Sequence, residues 1–222
     1  MTAFTKTETR FSLSLLWLSG LCLGLFLLRL LIDRQWIYLF IPGNLALAWA
    51  SLASAWLLGD YLKSHRWQSW GGAGLSLLWL VLLPNSWYVL TDFIHLTPGT
   101  MVSQLYDIAQ LGSLIITGYL LGFTSLYLVH RELRQRLSAQ QALVIIEAVI
   151  LISSLAIYMG RVLRWNSLDV ILNPAGVIIS LTDRIVDPLG HTSTLAVTGL
   201  FFVVLSIMYR AYFLLVQPDS KR

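Results

Sequence analysis

Charge is scarce in this chain of 222 residues, because Asp, Glu, Lys and Arg together account for only 12% of it. A soluble domain carries about 25% charged residues. A chain so poor in charge cannot cover a surface that faces water, so a soluble globular protein is excluded. Disorder is excluded as well, since disordered chains are rich in charge and poor in apolar residues.

Cysteine is nearly absent too, and Cys22 is the only one in the sequence. A disulfide framework and a thiolate metal cluster both need several cysteines, so both are excluded. The sequence also lacks repeats, low-complexity stretches and linkers that would separate domains. Residues 1–222 are therefore predicted to form a single domain.

Long apolar runs dominate what is present, and apolar residue types make up 57% of the chain. Crossing a bilayer takes about 20 mostly apolar helical residues. The runs are continuously apolar and do not alternate with period two, which favours helices over barrel strands. The sequence predicts an all-α polytopic membrane helix bundle in contact with membrane lipids. Its six predicted spans are 11–32, 37–59, 71–90, 105–129, 142–160 and 192–216.

The basic residues predict the orientation of this bundle. Ten of the fifteen lie on one side of the predicted spans: Lys6, Arg10, Lys63, Arg66, Arg131, Arg134, Arg136, Arg210, Lys221 and Arg222. The positive-inside rule therefore predicts that both termini are cytoplasmic. The net charge of +4 follows from this asymmetry and is no indication of nucleic-acid binding. We call the opposite side the predicted outer face.

The segment 161–191, on the predicted outer face, is too long for a simple turn. Its apolar stretch 170–181 is too short to span a bilayer and is interrupted at Asn173-Pro174. We expect a helix in the membrane interface, or a re-entrant piece, between the fifth and sixth spans. Asn173 before Pro174 is typical of the start of a helix.

Some residues inside the spans are predicted to serve packing. Gly118 and Gly122 form a GxxxG pair, which lets helix backbones approach closely within the bundle. Glu147 lies near the start of the fifth span, where it could pair with Arg134 or Arg136 at the interface or serve a function inside the membrane. The sequence leaves homo-oligomers and protein partners open.

A polar stripe closes the third span. Asn85, Tyr88, Asp92 and His95 are spaced three, four and three residues apart. In an α-helix they would share an arc of about 80°. Since polar groups are costly against lipid, the stripe is predicted to face the bundle or a water-filled pocket.

Span counting brings further polar residues to the same predicted outer face. Asp107 lies at the start of the fourth span, and the run Arg161, Arg164, Trp165 and Asn166 follows the end of the fifth. The convergence of these side chains with the stripe predicts either a functional site or an ion-paired network.

Two motifs in these regions resemble a known family. The run PNxxYxxTDxxHL at 84–96 and the run GRxLRWNSxDV at 160–170 are similar to those of bacterial multi-pass membrane proteins catalogued as domain-of-unknown-function family 1361. The resemblance extends from about the second span to the sixth. It implies a bacterial-type inner membrane protein and brings no established activity, substrate or catalytic residue.

The first functional hypothesis is an enzyme at the predicted outer face. Asp92 and His95 could share a divalent metal with Asp107 as a third ligand, since carboxylates and imidazole suit Zn, Mn or Fe. Alternatively, His95 acts as acid or base oriented by Asp92. In that case Tyr88 or Asn85 would donate hydrogen bonds to the substrate.

The arginines indicate the substrate class in this hypothesis. Arg161 and Arg164 could clamp a phosphate or carboxylate, with Trp165 and Asn166 beside them in the substrate-binding segment. A lipid or polyprenyl phosphate headgroup fits a site at the membrane face. Hydrolysis or group transfer would be the reaction.

Two alternatives remain open. In the structural one, Asp92 and Asp107 neutralise Arg161 and Arg164 and tie the third, fourth and fifth helices together. In the other, the same groups form the substrate or proton site of a small-solute or proton-coupled transporter. The sequence shows no inverted repeats or midplane polar residues on paired broken helices, which disfavours the transporter.

Overall fold

A computed structural model describes residues 6–33, 36–96, 100–165, 169–187 and 190–216, and every regular element in these ranges is helical. The α-helices are α1 Lys6–Asp33, α2 Phe40–Tyr61, α3 Trp70–Tyr88, α4 Met101–Arg134, α5 Ala139–Val162, α6 Asp169–Leu172, α7 Pro174–Val186 and α8 Thr192–Val216. Two 3₁₀ helices, Trp36–Leu39 and Val89–His95, precede α2 and follow α3.

Among the described residues, six segments are long and apolar enough to cross a membrane, which agrees with the predicted number of spans. They are Ser12–Ile32, Phe40–Tyr61, Trp70–Ile94, Met101–Arg134, Ala139–Val162 and Thr192–Val216. The fourth is longer than the predicted 105–129. At its first turn, Thr100 Oγ1 caps the helix by accepting a hydrogen bond from the Ser103 N–H at 3.3 Å. At its last turn, Arg131 and Arg134 interact favourably with the negative end of the helix dipole.

Helix α4 is the centre of the bundle. In its most apolar stretch 61% of the residues are buried, against 28% for the first, third and sixth spans. It packs on α3 through small residues: a Cβ on Gly118 would lie 2.6 Å from the Ser86 carbonyl oxygen, and one on Gly122 would lie 2.6 Å from Trp87 Nε1. The predicted use of this glycine pair for packing within the bundle is confirmed.

Hydrogen bonds between side chains also join α2, α3 and α4. Trp79 Nε1 donates to Ser125 Oγ at 2.8 Å, and Ser125 Oγ donates to the Ser51 carbonyl oxygen at 3.0 Å. All three residues are buried. Such bonds hold helices together in lipid, where apolar burial gives little preference for one helix over another.

Glu147 joins α5 to α8. Its carboxylate accepts hydrogen bonds from Arg210 Nη2 at 2.7 Å and from Ser206 Oγ at 2.6 Å. The predicted pairing with Arg134 or Arg136 is therefore wrong. Because α5 packs along α8, Glu147 meets a cation on that neighbouring helix.

The segment after α5 folds as two short helices. Asn173 caps α7 by accepting a hydrogen bond from the Gly176 N–H at 3.1 Å, as predicted for the Asn-Pro pair. The 13 residues of α7 extend only about 20 Å, which is less than the apolar thickness of a bilayer. Helix α7 buries Val177 and exposes Ile178 and Ile179. This pattern agrees with the predicted interfacial helix.

Candidate functional site

The third span does not continue as an α-helix through its polar end. The α-helix stops at Tyr88, and residues Val89–His95 form a 3₁₀ helix. Thr91 Oγ1 donates a hydrogen bond to the Tyr88 carbonyl oxygen at 2.6 Å. A side chain therefore binds a backbone acceptor at the point where the α-helix changes to a 3₁₀ helix. The predicted α-helical arc is therefore wrong beyond Tyr88, because side chains three residues apart eclipse in a 3₁₀ helix.

Asp92 is the centre of the polar contacts at this helix end. Only 2% of the residue is exposed. One carboxylate oxygen, Oδ1, accepts from Arg161 Nη2 at 2.6 Å, and Oδ2 accepts from Asn44 Nδ2 at 2.8 Å. The carboxylate thereby connects α2, the end of the third span and the last turn of α5.

Arg161 is held on several sides. Its Nε donates to Thr91 Oγ1 at 2.7 Å, and its Nη2 bonds the same hydroxyl as well as Asp92. The guanidinium carbon lies 4.4 Å from the centre of the Tyr88 ring, a cation–π distance. The preceding Gly160 leaves room for that ring, because a Cβ there would lie 3.1 Å from Tyr88 Cε2. We call Asn44, Tyr88, Thr91, Asp92 and Arg161 the Asp92 cluster.

Asn85 bonds its own helix. Its side-chain amide donates to the carbonyl oxygens of Val81 at 3.4 Å and Leu82 at 3.1 Å. These carbonyls belong to the turn that precedes Pro84, where proline removes a backbone donor. The role of Asn85 as a hydrogen-bond donor to a substrate stays a prediction.

Asp107 belongs to a different ion pair. Its Oδ1 lies 3.0 Å from Arg29 Nη2, and the two side chains are 1% and 9% exposed. Arg29 also lies over the Tyr106 ring at 5.4 Å. The pKa of the nearby Tyr38 hydroxyl is raised above its usual value, mainly by burial and secondly by the Asp107 carboxylate. The proposed pairing of Asp107 with Arg161 or Arg164 is not what the structure contains.

The predicted metal ligands do not converge among the described side chains. Asp92 binds Arg161 and Asn44, while Asp107 binds Arg29. Within the described part of the chain, no group of three His, Cys, Asp or Glu residues could hold a metal ion. The His95 side chain lies outside the described residues, so its role as ligand or acid–base group stays a prediction.

Arg164 and Trp165 end α5 and turn the chain toward α7. Arg164 has a φ of 61°, in the left-handed region that favours glycine, and its side chain is exposed. The Trp165 N–H returns to the Met159 carbonyl oxygen at 3.2 Å. The Trp165 ring packs on Gly176 of α7. In the described part of the chain, Arg164 takes no part in the Asp92 cluster, and Asn166 lies outside that part.

Two residues of these contacts were missed by sequence reasoning. Asn44 lies near the start of the second span, and span counting places that start on the predicted outer face beside Asp92. Arg29 lies near the end of the first span, on the same face as Asp107. A polar residue within a turn or two of a span end was the available signal in both cases.

Helical spans joined by buried polar and ionic contacts define the chain as a polytopic α-helical membrane protein. The chain belongs to the family described as "Protein of unknown function (DUF1361)", whose model matches residues 44–208. The matched range begins at Asn44 and includes Asp92 and Arg161. No curated protein and no solved structure matches the chain significantly.

Proposed function

We propose that this is a non-enzymatic structural membrane protein in which the Asp92 cluster is an interhelix lock at the predicted outer face. The observation that carries the proposal is the double engagement of the buried Asp92 carboxylate by Arg161 and Asn44. A general base or metal ligand needs an oxygen that can reach a substrate proton or an ion. Both Asp92 oxygens instead accept hydrogen bonds from neighbouring elements.

The energetics of the cluster support a structural role. Removing one member of a buried ion pair typically costs about 3–5 kcal/mol, because the remaining charge is left without compensation. The Thr91 hydroxyl and the Tyr88 ring contact the guanidinium of Arg161. They hold Arg161 in one orientation toward Asp92.

A double-mutant cycle tests the lock. We expect Asp92→Asn and Arg161→Gln each to lower the free energy of unfolding by about 2–4 kcal/mol, near the range for broken buried pairs. The double variant should lose less than the sum, because neither charge is then left alone. Arg164→Gln is the matched control: it removes an exposed arginine from the same face and should change stability by less than about 0.5 kcal/mol.

Additive losses in the cycle, or single variants as stable as the wild type, would overturn the structural proposal. The outcome that favours a hydrolase or transferase for lipid phosphates is different. In that case the wild type would bind a divalent metal or release phosphate, and both Asp92→Asn and His95→Ala would abolish this property. The unfolding curves of the two variants would stay the same as that of the wild type. Flux of a solute or protons into proteoliposomes that depends on Asp92 would favour the transporter.

A further inference from the structure

A second polar region lies between α5, α7 and the start of α8, around Arg184. Arg184 Nη1 donates to the Ser180 carbonyl oxygen of its own helix at 2.7 Å. Its Nε is buried and has no hydrogen-bond partner among the described residues. Within that part of the chain, no carboxylate lies at ion-pair distance from Arg184. Arg184 therefore has no ion-pair partner in the described part of the chain.

Hydroxyl groups surround the same space. Tyr158 Oη lies 3.5 Å from Ser193 Oγ and close to Thr194 and Arg184. Thr194 is only 6% exposed, and its hydroxyl makes no close hydrogen bond among the described residues beyond the approach of Tyr158. The buried Thr198 hydroxyl, one turn further along the same face of α8, has no hydrogen-bond partner among the described residues. We call Tyr158, Arg184, Ser193, Thr194 and Thr198 the Arg184 site.

The acidic residues nearest in sequence are directed to other partners. Asp183 is largely exposed, and its Oδ2 lies 3.0 Å from His191 Nε2. Asp187 Oδ1 accepts a hydrogen bond from the Gly190 N–H at 2.9 Å. Both aspartates therefore have partners other than Arg184 among the described residues. The first turn of α8 adds the positive end of its helix dipole to the region.

We propose that the Arg184 site binds a phosphate-type oxyanion, either the phosphate of a lipid headgroup or free inorganic phosphate. A buried donor without a partner is costly, and an oxyanion supplies acceptors for a guanidinium and several hydroxyls at once. Helix N-termini favour anions for the same electrostatic reason. The site shares no residue with the Asp92 cluster, so the proposal goes beyond the structural role.

Calorimetry of the full chain tests the free anion. The protein is purified in dodecyl maltoside, a detergent without phosphate, and titrated with inorganic phosphate. We expect saturable binding that Arg184→Gln weakens at least about tenfold, the loss typical of a charge-assisted hydrogen bond. Thr194→Val, which keeps the shape and removes the hydroxyl, should weaken binding by about three- to tenfold.

Native mass spectrometry tests the lipid source. Protein from the same detergent is incubated with phosphatidylglycerol, and bound lipid is counted for wild type and Arg184→Gln. Arg184-dependent retention of the lipid supports a headgroup site, whereas phosphate binding without lipid retention supports a solute site. Binding of neither ligand by the wild type would overturn the proposal.

Two further variants make the test specific. Arg164→Gln removes an exposed arginine from the same face and should leave both affinities within about twofold, since it has no part in the site. Equal weakening by Arg164→Gln, or full binding by Arg184→Gln, would contradict the proposal. Where Arg184→Gln does not fold, Arg184→Lys keeps the charge without the planar fork and should bind with intermediate affinity.

Discussion

At the scale of single residues, Arg164 combines an unfavourable backbone conformation with an exposed side chain. Its φ of 61° lies in the left-handed region, and its side chain is exposed beyond the end of α5. A left-handed conformation costs a residue with a Cβ about 1–2 kcal/mol, and glycine avoids that cost. Substitutions of Arg164 can therefore test the cost of the backbone conformation separately from any interaction of the guanidinium group.

We expect Arg164→Gly to raise the free energy of unfolding by about 0.5–1 kcal/mol, because relief of strain exceeds the extra entropy of an unfolded glycine. The measurement is equilibrium unfolding in mixed micelles, followed by circular dichroism. Arg164→Ala is the control, since alanine removes the charge and keeps the strain. A gain in both variants would show that charge, not backbone conformation, sets the effect.

Two buried acids show how far sequence reasoning reaches at this scale. The pairing of Asp92 with Arg161 was one of the predicted alternatives, and the structure contains it. The pairing of Asp107 with Arg29 was not foreseen. Span counting assigns a residue to a membrane face, but several cations share that face, and only helix packing decides which one is nearest.

At the scale of elements, the α3–α4 contact depends on glycine. Gly118 lies against the Ser86 backbone carbonyl, which cannot move aside as a side chain can. Gly112, on the same helix, has nothing within 4 Å of the position of an added Cβ. The two glycines therefore form a matched pair for testing close packing.

Gly118→Ala is expected to lower the free energy of unfolding by about 1–3 kcal/mol, the usual range for overpacking. Gly112→Ala should leave it unchanged or raise it slightly, because alanine is the better helix former. Thermal unfolding of both variants, monitored by tryptophan fluorescence, makes the comparison. Equal effects of the two substitutions would show that the α3–α4 contact tolerates a methyl group.

At the scale of the whole molecule, the six spans found among the described residues predict that the start of α1 and the end of α8 lie on one side of the membrane. Because successive spans must cross in opposite directions, the connection 62–69 and the start of α8 are predicted to lie on opposite sides. The excess of basic residues predicts which side is cytoplasmic.

Cysteine labelling in intact cells checks this orientation. The native Cys22 is buried, so the wild type should react little with a membrane-impermeant maleimide. Thr192→Cys, at the exposed start of α8, should be labelled from outside, whereas Ser64→Cys should react only after permeabilisation. The opposite pattern would reverse the predicted outer face and relocate the Asp92 cluster to the cytoplasm.

The sequence by itself determined the membrane bundle, the six spans and the gathering of polar residues at one face. These features depend on composition, run length and parity, which are properties of the chain taken in order. The tertiary structure alone decided the contacts: Asn44 on Asp92, Arg210 on Glu147, and Arg184 near the hydroxyls of α5 and α8. The reason is geometric, since hydrogen bonds and ion pairs depend on distances of a few ångströms between helices, which only the packing of the bundle sets.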